Sequence, residues 1–423
     1  MINRIKKMIP FLGCLLFSHT LISQSGMKLH FINVGQGSSC LVEFPCGVLL
    51  IDAGGESNSE FNSNEALTAY LEDFFAKHDK YKNTFKAVYI THPHIDHTRG
   101  VPELLEQPYV IKNVITNGQE TGSGGPQQKK LHLRAQASEE TGDKSDDIGL
   151  ETVNTKMLPS KKGITSKVID PIDDCNGVNP QIQILWGAIT PTTGWKQADV
   201  SNANNNSLVI RIDYGKSSVL ITGDLEDRAI EGLIKRYEGT SALDADVYVC
   251  GHHGSKNGTT KALLQKISPK YAVISMGDLS RETLWTAWAY GHPNKNVLDM
   301  LQSSISLSRP AFTVQAGNGS KSFSAYTISK AIYATGWDDA FDMNADAEGN
   351  WIVKTFTSSQ ALVNINTANV DELQELPGIG AGKAEAIVTY RHDNGKFNEI
   401  DDLDNVPGIG PALISRIRAY VTK

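Results

Sequence analysis

Thr91-His92-Pro93-His94-Ile95-Asp96-His97 gathers four metal-binding side chains within six positions, directly after the β-branched run Val88-Tyr89-Ile90. Imidazole and carboxylate are ligand types of zinc, and manganese accepts them as well. His92 and His94 alternate, so one extended loop can aim both at a single ion. Asp96 and His97 open the next helix and can serve a second ion, about 3.5–4 Å from the first. With 11 histidines in the chain and three of them here, a chance polar loop is a poor account of the run. The feature calls for strand, loop and helix in that order, with the chemistry at the strand end.

The flanking pattern supplies this order. Leu29 to Val34 alternates as a strand and breaks at Gly35-Gln36-Gly37; Ser38 to Glu43 and Val48 to Ile51 then predict a hairpin ending at Asp52-Ala53-Gly54-Gly55. Residues 64–78 read as a helix. Residues 118–165 are polar, lack a sustained period and predict an inserted surface loop. A second half follows, with strands at Ile182 to Leu185, Ser207 to Asp213, Ser218 to Ile221, Asp246 to Cys250 and Tyr271 to Ser275. Helices are predicted near Glu226 to Arg236 and over Lys261 to Ile267. Two mixed halves with helices outside predict an αββα sandwich, giving an α+β chain.

Two further candidates flank that second half. Thr222-Gly223-Asp224 ends a predicted strand, and His252-His253-Gly254-Ser255 follows another. On its own Asp224 reads equally as a helix cap. His292, before Pro293, is either a contact to substrate or leaving group or a turn residue.

These motifs resemble the metallo-β-lactamase superfamily. More narrowly, Val34 to Ser39, Asn205-Asn206-Ser207-Leu208-Val209, His252 to Ser255 and Tyr290-Gly291-His292-Pro293 resemble the hydrolase domain of the ComEC competence proteins, over roughly residues 28–325. The resemblance implies two divalent ions, Zn2+ or Mn2+. It implies His92 and His94 on the first, Asp96 and His97 on the second, Asp224 as the bridging carboxylate and His252 as the last histidine. Asp52 would brace the loop from behind, with Asn205, Asn206 and Ser255 beside the ligands. Asp96, His253 and His292 are the candidate catalytic groups, and His253 competes with His252 for the ligand position. One departure stands out: members with a full first-metal set have another histidine before Asp224. Here only His132 is available, unless Asn205 or Asn206 stands in.

From Val363 the texture changes. Leu376-Pro377-Gly378-Ile379-Gly380 recurs 30 residues later as Val406-Pro407-Gly408-Ile409-Gly410, each copy set between short helical patterns. The unit resembles the helix-hairpin-helix DNA-binding domain of the ComEA competence proteins. It would be a small all-α domain that holds DNA without reading its sequence, through Gly378, Gly380, Lys383, Gly408, Gly410, Arg416 and Arg418. From 363 to 423 six basic side chains face nine acidic ones, a net of −3, so counterion release contributes little affinity. The overall charge of −7 likewise excludes binding by bulk electrostatics alone.

Residues 1–23 carry Arg4, Lys6 and Lys7, then an apolar run from Met8 to Ile22 that is short for a membrane span. This reads as a secretory signal cut near Ser23, leaving a periplasmic or extracellular protein without a stable anchor. The boundaries are then 27–330 for the hydrolase domain, 331–361 for a hairpin or linker and 362–423 for the tail. The four cysteines beyond the signal, Cys40, Cys46, Cys175 and Cys250, are too scattered for a disulfide framework and are expected to be unpaired. An exported DNA phosphodiesterase is the leading function. The alternatives are hydrolysis of another ester, such as a phosphocholine or lactam-like substrate, and a non-catalytic DNA-binding competence accessory.

Overall fold

The computed structural model describes residues 26–140, 147–191, 194–355, 363–374, 376 and 378–423; the expected signal over 1–23 lies outside them. Among the described residues two β-sheets lie face to face. The first runs Trp351–Thr355, Phe341–Ala345, Met27–Phe31, Cys40–Phe44, Gly47–Ile51, Thr84–Tyr89, Asn113–Thr116 and Gly149–Thr152, with Val110–Ile111 pairing beside Thr84–Tyr89. The second runs Ile332–Ala334, Tyr271–Ile274, Val247–Val249, Ser217–Ile221, Val209–Tyr214 and Gln181–Trp186.

The strand sequences show why four layers form. In Gly47–Ile51, Leu49 and Ile51 join the core between the sheets, while Val48 and Leu50 join the core under the helix Ser63–Lys77. Both faces are covered, so the strand is a continuous apolar run and not an alternation. Ser217–Ile221 behaves alike: Val219 and Ile221 face the first sheet, and Leu220 faces the helices Asp227–Arg236, Lys261–Ile267 and Lys295–Ser304. This is the αββα sandwich expected.

Two expectations are corrected and a third gains its place in the fold. The polar stretch 118–165 is no simple loop: Gly125–Glu140 is a helix and Gly149–Thr152 an edge strand of the first sheet. The buried face of that helix includes Gln128, His132 and Ser138 beside Leu131 and Ala135, so a helical burial period exists without a hydrophobic one. Cys46 and Cys175 are joined in a disulfide, with Cα atoms 5.5 Å apart, whereas Cys40 and Cys250 are free and buried. Their separation of 129 residues hid the pairing. Finally, Ile332–Ala334 extends the second sheet, and Phe341–Ala345 pairs antiparallel with Met27–Phe31 in the first. The segment expected as hairpin or linker holds such a hairpin, Phe341–Ala345 against Trp351–Thr355, at the edge of the first sheet, and also adds Ile332–Ala334 to the second. His30 ties it in, with Nδ1 2.9 Å from Asp342 Oδ1 and Nε2 3.2 Å from Glu43 Oε2.

The tail has its own core of Ile365, Leu373, Ile379, Ile387, Leu403, Val406, Ile414 and Ile417, among others. Helices Val370–Gln374, Ala381–Asn394 and Pro411–Ile417 and the turn Ile400–Asn405 surround it, and the bridge between Val363–Asn364 and Val421–Thr422 closes it. Among the described residues no helix is long and apolar enough to cross a membrane.

Candidate metal centre

Strand Thr84–Tyr89 delivers Thr91 to His94 into a loop, and the short helix Ile95–Thr98 carries Asp96 and His97. Glycines make room for this loop. The Ser38 N–H donates to Asp96 O at 2.9 Å, the Ala53 N–H to His97 O at 3.0 Å and the Gly54 N–H to Ser38 O at 3.0 Å. A Cβ on Gly54 would lie 1.6 Å from Asp96 O. The Gly-Gln-Gly and Asp-Ala-Gly-Gly motifs are thus the cradle of the histidine loop.

Asp52 sits beneath it, fully buried and with φ +58°. One carboxylate oxygen accepts the Thr91 N–H at 2.8 Å; the other accepts the Thr91 hydroxyl at 2.9 Å and stands 2.7 Å from His97 Nδ1. That places the His97 hydrogen on Nδ1 and turns Nε2 inward. From the second sheet comes Asp224, after Ser217–Ile221, its N–H held by Ser207 Oγ at 3.0 Å. The Leu208 N–H donates to Thr91 O at 2.8 Å and joins the two halves at the site.

Asp224 is the common member of two groups whose ligand atoms lie within 4.8 Å of one another: Asp96, His97, Asp224 and His253, and His92, His94 and Asp224. His97 Nε2 is 3.1 Å from Asp224 Oδ1, His253 Nε2 is 3.3 Å from Asp96 Oδ2 and 3.5 Å from Asp224 Oδ2, and His92 Nε2 is 3.8 Å from Asp224 Oδ2. His253 enters the second group where the resemblance had implied His252. Its Nδ1 donates to Ser275 O at 2.8 Å, which leaves Nε2 facing the carboxylates. His252 lies 3.9 Å from Asp224 and 3.6 Å from Glu226, with its side chain 22% exposed. Both take left-handed backbone, φ +52° and +53°, strain of the kind that persists at functional sites.

Nε2 of His92, His97 and His253 is buried in each case without a hydrogen-bond partner. Leaving such nitrogens unpaired is costly, and a divalent ion is the partner that three inward imidazoles and two carboxylates fit. The two carboxylates favour positive charge at this point. Burial opposes charge on His97, yet Asp224 and Asp52 hold it well above the ordinary histidine range. His253 is pushed up to about 10, with burial outweighed by Asp224 and Asp96. Burial would raise Asp96 and Asp224, but the neighbouring imidazoles hold both below the usual carboxylate range. Burial pushes His92 and His94 down, as neutral ligands require. Asp52→Asn should weaken zinc binding about 10–100-fold, the usual effect of removing a ligand's outer partner, measured by competition with a chromophoric chelator. An unchanged affinity would deny Asp52 its orienting role.

The remaining candidates make contacts of their own. His132 bonds Thr116 Oγ1 and Glu120 Oε1, each at 2.9 Å. The Asn206 side chain bonds the Ile189 N–H and the Val200 and Asn202 carbonyls; that of Asn205 donates to Asp199 O. His132 joins neither metal group, whereas Asn205 Oδ1 is buried without a hydrogen-bond partner. Ser255 bonds Asn257. His292 stands beside the site, ring centroids 6.0 Å from His252 and 6.4 Å from His253, with Nδ1 3.2 Å from Gln36 Nε2. Burial and the two histidines push it down to about 3. Gln36 stands in the Val34 to Ser39 motif, but its partner His292 and the brace from Glu56, which accepts the Gln36 N–H at 2.7 Å and pairs with Arg281, lie too far apart in the chain to be matched by spacing.

In the tail, Gly378 and Gly408 adopt φ +81° and +84°, which explains glycine in both hairpin turns. Gly380 and Gly410 precede the helices that follow. Lys383 Nζ donates to Gly378 O at 3.2 Å, and Arg418 pairs with Asp401. The Arg416 side chain lies outside the described residues.

Residues 32–151 and 190–278 match the metallo-beta-lactamase superfamily, and residues 358–422 match a helix-hairpin-helix motif. ComE operon protein 3 of Bacillus subtilis (strain 168) is 29% identical over 301 residues, 68% of this chain and 32% of that protein. ComE operon protein 1 of the same organism is 45% identical over 74 residues, 18% of this chain and 36% of that one. The chain thus spans about a third of the length of each of these relatives. Among solved structures, the metallo-beta-lactamase fold protein YhfI from Bacillus subtilis is 13% identical with a TM-score of 0.35, covering 66% of this chain and 94% of that one. The chain belongs to the metallo-beta-lactamase superfamily through its sandwich domain and carries a helix-hairpin-helix motif behind it.

Proposed function

We propose that the chain is an exported phosphodiesterase acting on DNA, with the tail holding the substrate. The observation that carries this reading is the pair of metal-binding groups sharing Asp224, with three buried imidazole nitrogens facing inward. His92, His94 and Asp224 would hold one divalent ion, and Asp96, His97, His253 and Asp224 the other. When bound, zinc or manganese supplies charge for phosphoryl oxygens and makes water nucleophilic near neutral pH. The first group has one ligand fewer, so its ion should exchange more readily.

The chain's own groups orient the reaction. Asp52 and Ser275 O fix the tautomers of His97 and His253. Because Gln36 presents its amide nitrogen to His292 Nδ1, the ring hydrogen sits on Nε2, where it can donate to a phosphoryl or leaving oxygen. The half-buried His252 is the other imidazole open to substrate.

For DNA, the support is the hairpin pair. Left-handed glycines let the backbone approach phosphates, and the start of Ala381–Asn394 offers free N–H groups. With net −3 and Arg418 already paired, the tail should bind weakly and without sequence preference. The likeness to the ComE operon proteins supports a role in competence.

The test incubates full-length protein with plasmid and single-stranded DNA under zinc or manganese, and again with a chelator. Metal-dependent cleavage is expected. The double variant Gly378→Ala, Gly408→Ala imposes about 1–2 kcal/mol of strain per turn and should lower turnover of long DNA relative to a small phosphodiester. Hydrolysis of a phosphocholine or lactam substrate with no cleavage of DNA would favour the other ester activity instead.

A further inference from the structure

The loop before His292 carries large apolar side chains outward. Leu284 is 67% exposed and Trp285 68%. Trp285 also has φ +66°, a left-handed conformation that is costly for a bulky residue and calls for a functional reason. Both ends of the loop are held. The Arg281 guanidinium pairs with Glu56 and lies 4.4 Å over the Phe61 ring. Thr286 donates to Thr283 O at 2.8 Å and accepts the Ala289 N–H at 3.3 Å. The indole is therefore presented to solvent by an anchored loop.

From it, rings lead inward to the metal-binding groups. Centroids are 6.4 Å apart from Trp285 to Tyr290 and 5.5 Å from Tyr290 to His292, whose planes differ by 23°; His253 follows at 6.4 Å. Tyr290 is itself 44% exposed. Lys321, exposed between Ser308–Gly319 and Ser322–Lys330, holds Nζ 5.1 Å over the Trp288 ring and donates its N–H to Trp288 O at 3.1 Å. Exposed aromatics running into the catalytic groups, with a cation over the neighbouring Trp288 ring, have the chemistry that stacks unpaired nucleobases. Every base has a π face, so such a surface accepts any sequence.

Resting on the phosphodiesterase reading above, we infer that Trp285 and Tyr290 form a stacking subsite for the nucleobases flanking the scissile phosphodiester of a single strand, with Lys321 meeting a backbone phosphate. Duplex DNA keeps its bases inside the stack, so this subsite selects strand ends and unpaired stretches. A lipid surface also accepts exposed Leu and Trp, but it gives no reason for a path of rings to His253.

The test compares a single-stranded oligonucleotide with the same strand made abasic around the cut, for the wild-type chain and Trp285→Ala. The wild type should favour the base-bearing strand about tenfold or more in kcat/KM, and Trp285→Ala should bring that ratio near one, with Trp285→Phe retaining most of it. An undiminished ratio, or equal losses on both strands, overturns the subsite. Anisotropy binding of both strands to Asp224→Asn protein separates the subsite from the chemistry. Base-dependent binding that the added Trp285→Ala change removes supports the subsite even where the wild type cleaves nothing, and the phosphodiesterase reading then fails alone. Trp285-dependent binding to phosphatidylglycerol vesicles, with no base dependence in either strand, overturns it in favour of a membrane contact.

Discussion

Asp224→Ala should reduce metal-dependent turnover by roughly a thousandfold or more, the scale expected when charge stabilisation at a reacting phosphoryl group is lost, and should lower bound metal in both groups together. The reason is its shared position. His97 Nε2, His253 Nε2 and His92 Nε2 all approach this one carboxylate, at 3.1, 3.5 and 3.8 Å. Removing it takes a ligand from each set and leaves buried imidazoles without their balancing charge, whereas the backbone stays braced by the Ser207 hydroxyl. Metal content by mass spectrometry, read beside turnover, is the check. A variant that keeps a full metal complement, or cleaves like the wild type, would remove Asp224 from the shared position.

Gly54→Ala should be the most damaging small substitution in the hydrolase domain. Its Cβ would stand 1.6 Å from Asp96 O, 2.0 Å from Asp96 C and 2.3 Å from His97 N. All three are backbone atoms, so no flexible side chain can give way. The histidine loop must lift, straining the Ser38 to Asp96 and Ala53 to His97 hydrogen bonds. Overpacking of this kind costs about 3 kcal/mol, which in a domain of this size lowers Tm on the order of 10 °C, with loss of metal binding. Gly382→Ala is the contrast, since nothing lies within 4 Å of its Cβ. Thermal melts of both variants test the claim, and a Gly54→Ala protein with wild-type Tm would refute the cradle.

What the sequence revealed of this site follows from contiguity. His92, His94, Asp96 and His97 share one loop, and both halves carry apolar strands such as Gly47–Ile51 and Ser217–Ile221, so cluster and sandwich were legible together. The choice between His252 and His253 was not. Adjacent residues are equivalent by spacing, and only the left-handed backbone at both positions sends His253 to the carboxylates. The helix Gly125–Glu140 escaped because Gln128, His132 and Ser138 share its buried face, and burial without hydrophobicity leaves no period to read. Cys46 and Cys175 escaped because pairing across 129 residues depends on the tertiary fold alone.

The pairing of Met27–Phe31 with Phe341–Ala345 bears on how such a chain reaches its native state. The first strand of the sandwich has one neighbour nearby in sequence and the other more than three hundred residues downstream, so its second edge stays bare until almost the whole domain has emerged. Closing so distant a contact is slow, and an open strand edge meanwhile invites pairing with other chains. The order of the strands therefore ties the shelter of an N-terminal edge to the last part of the domain to appear.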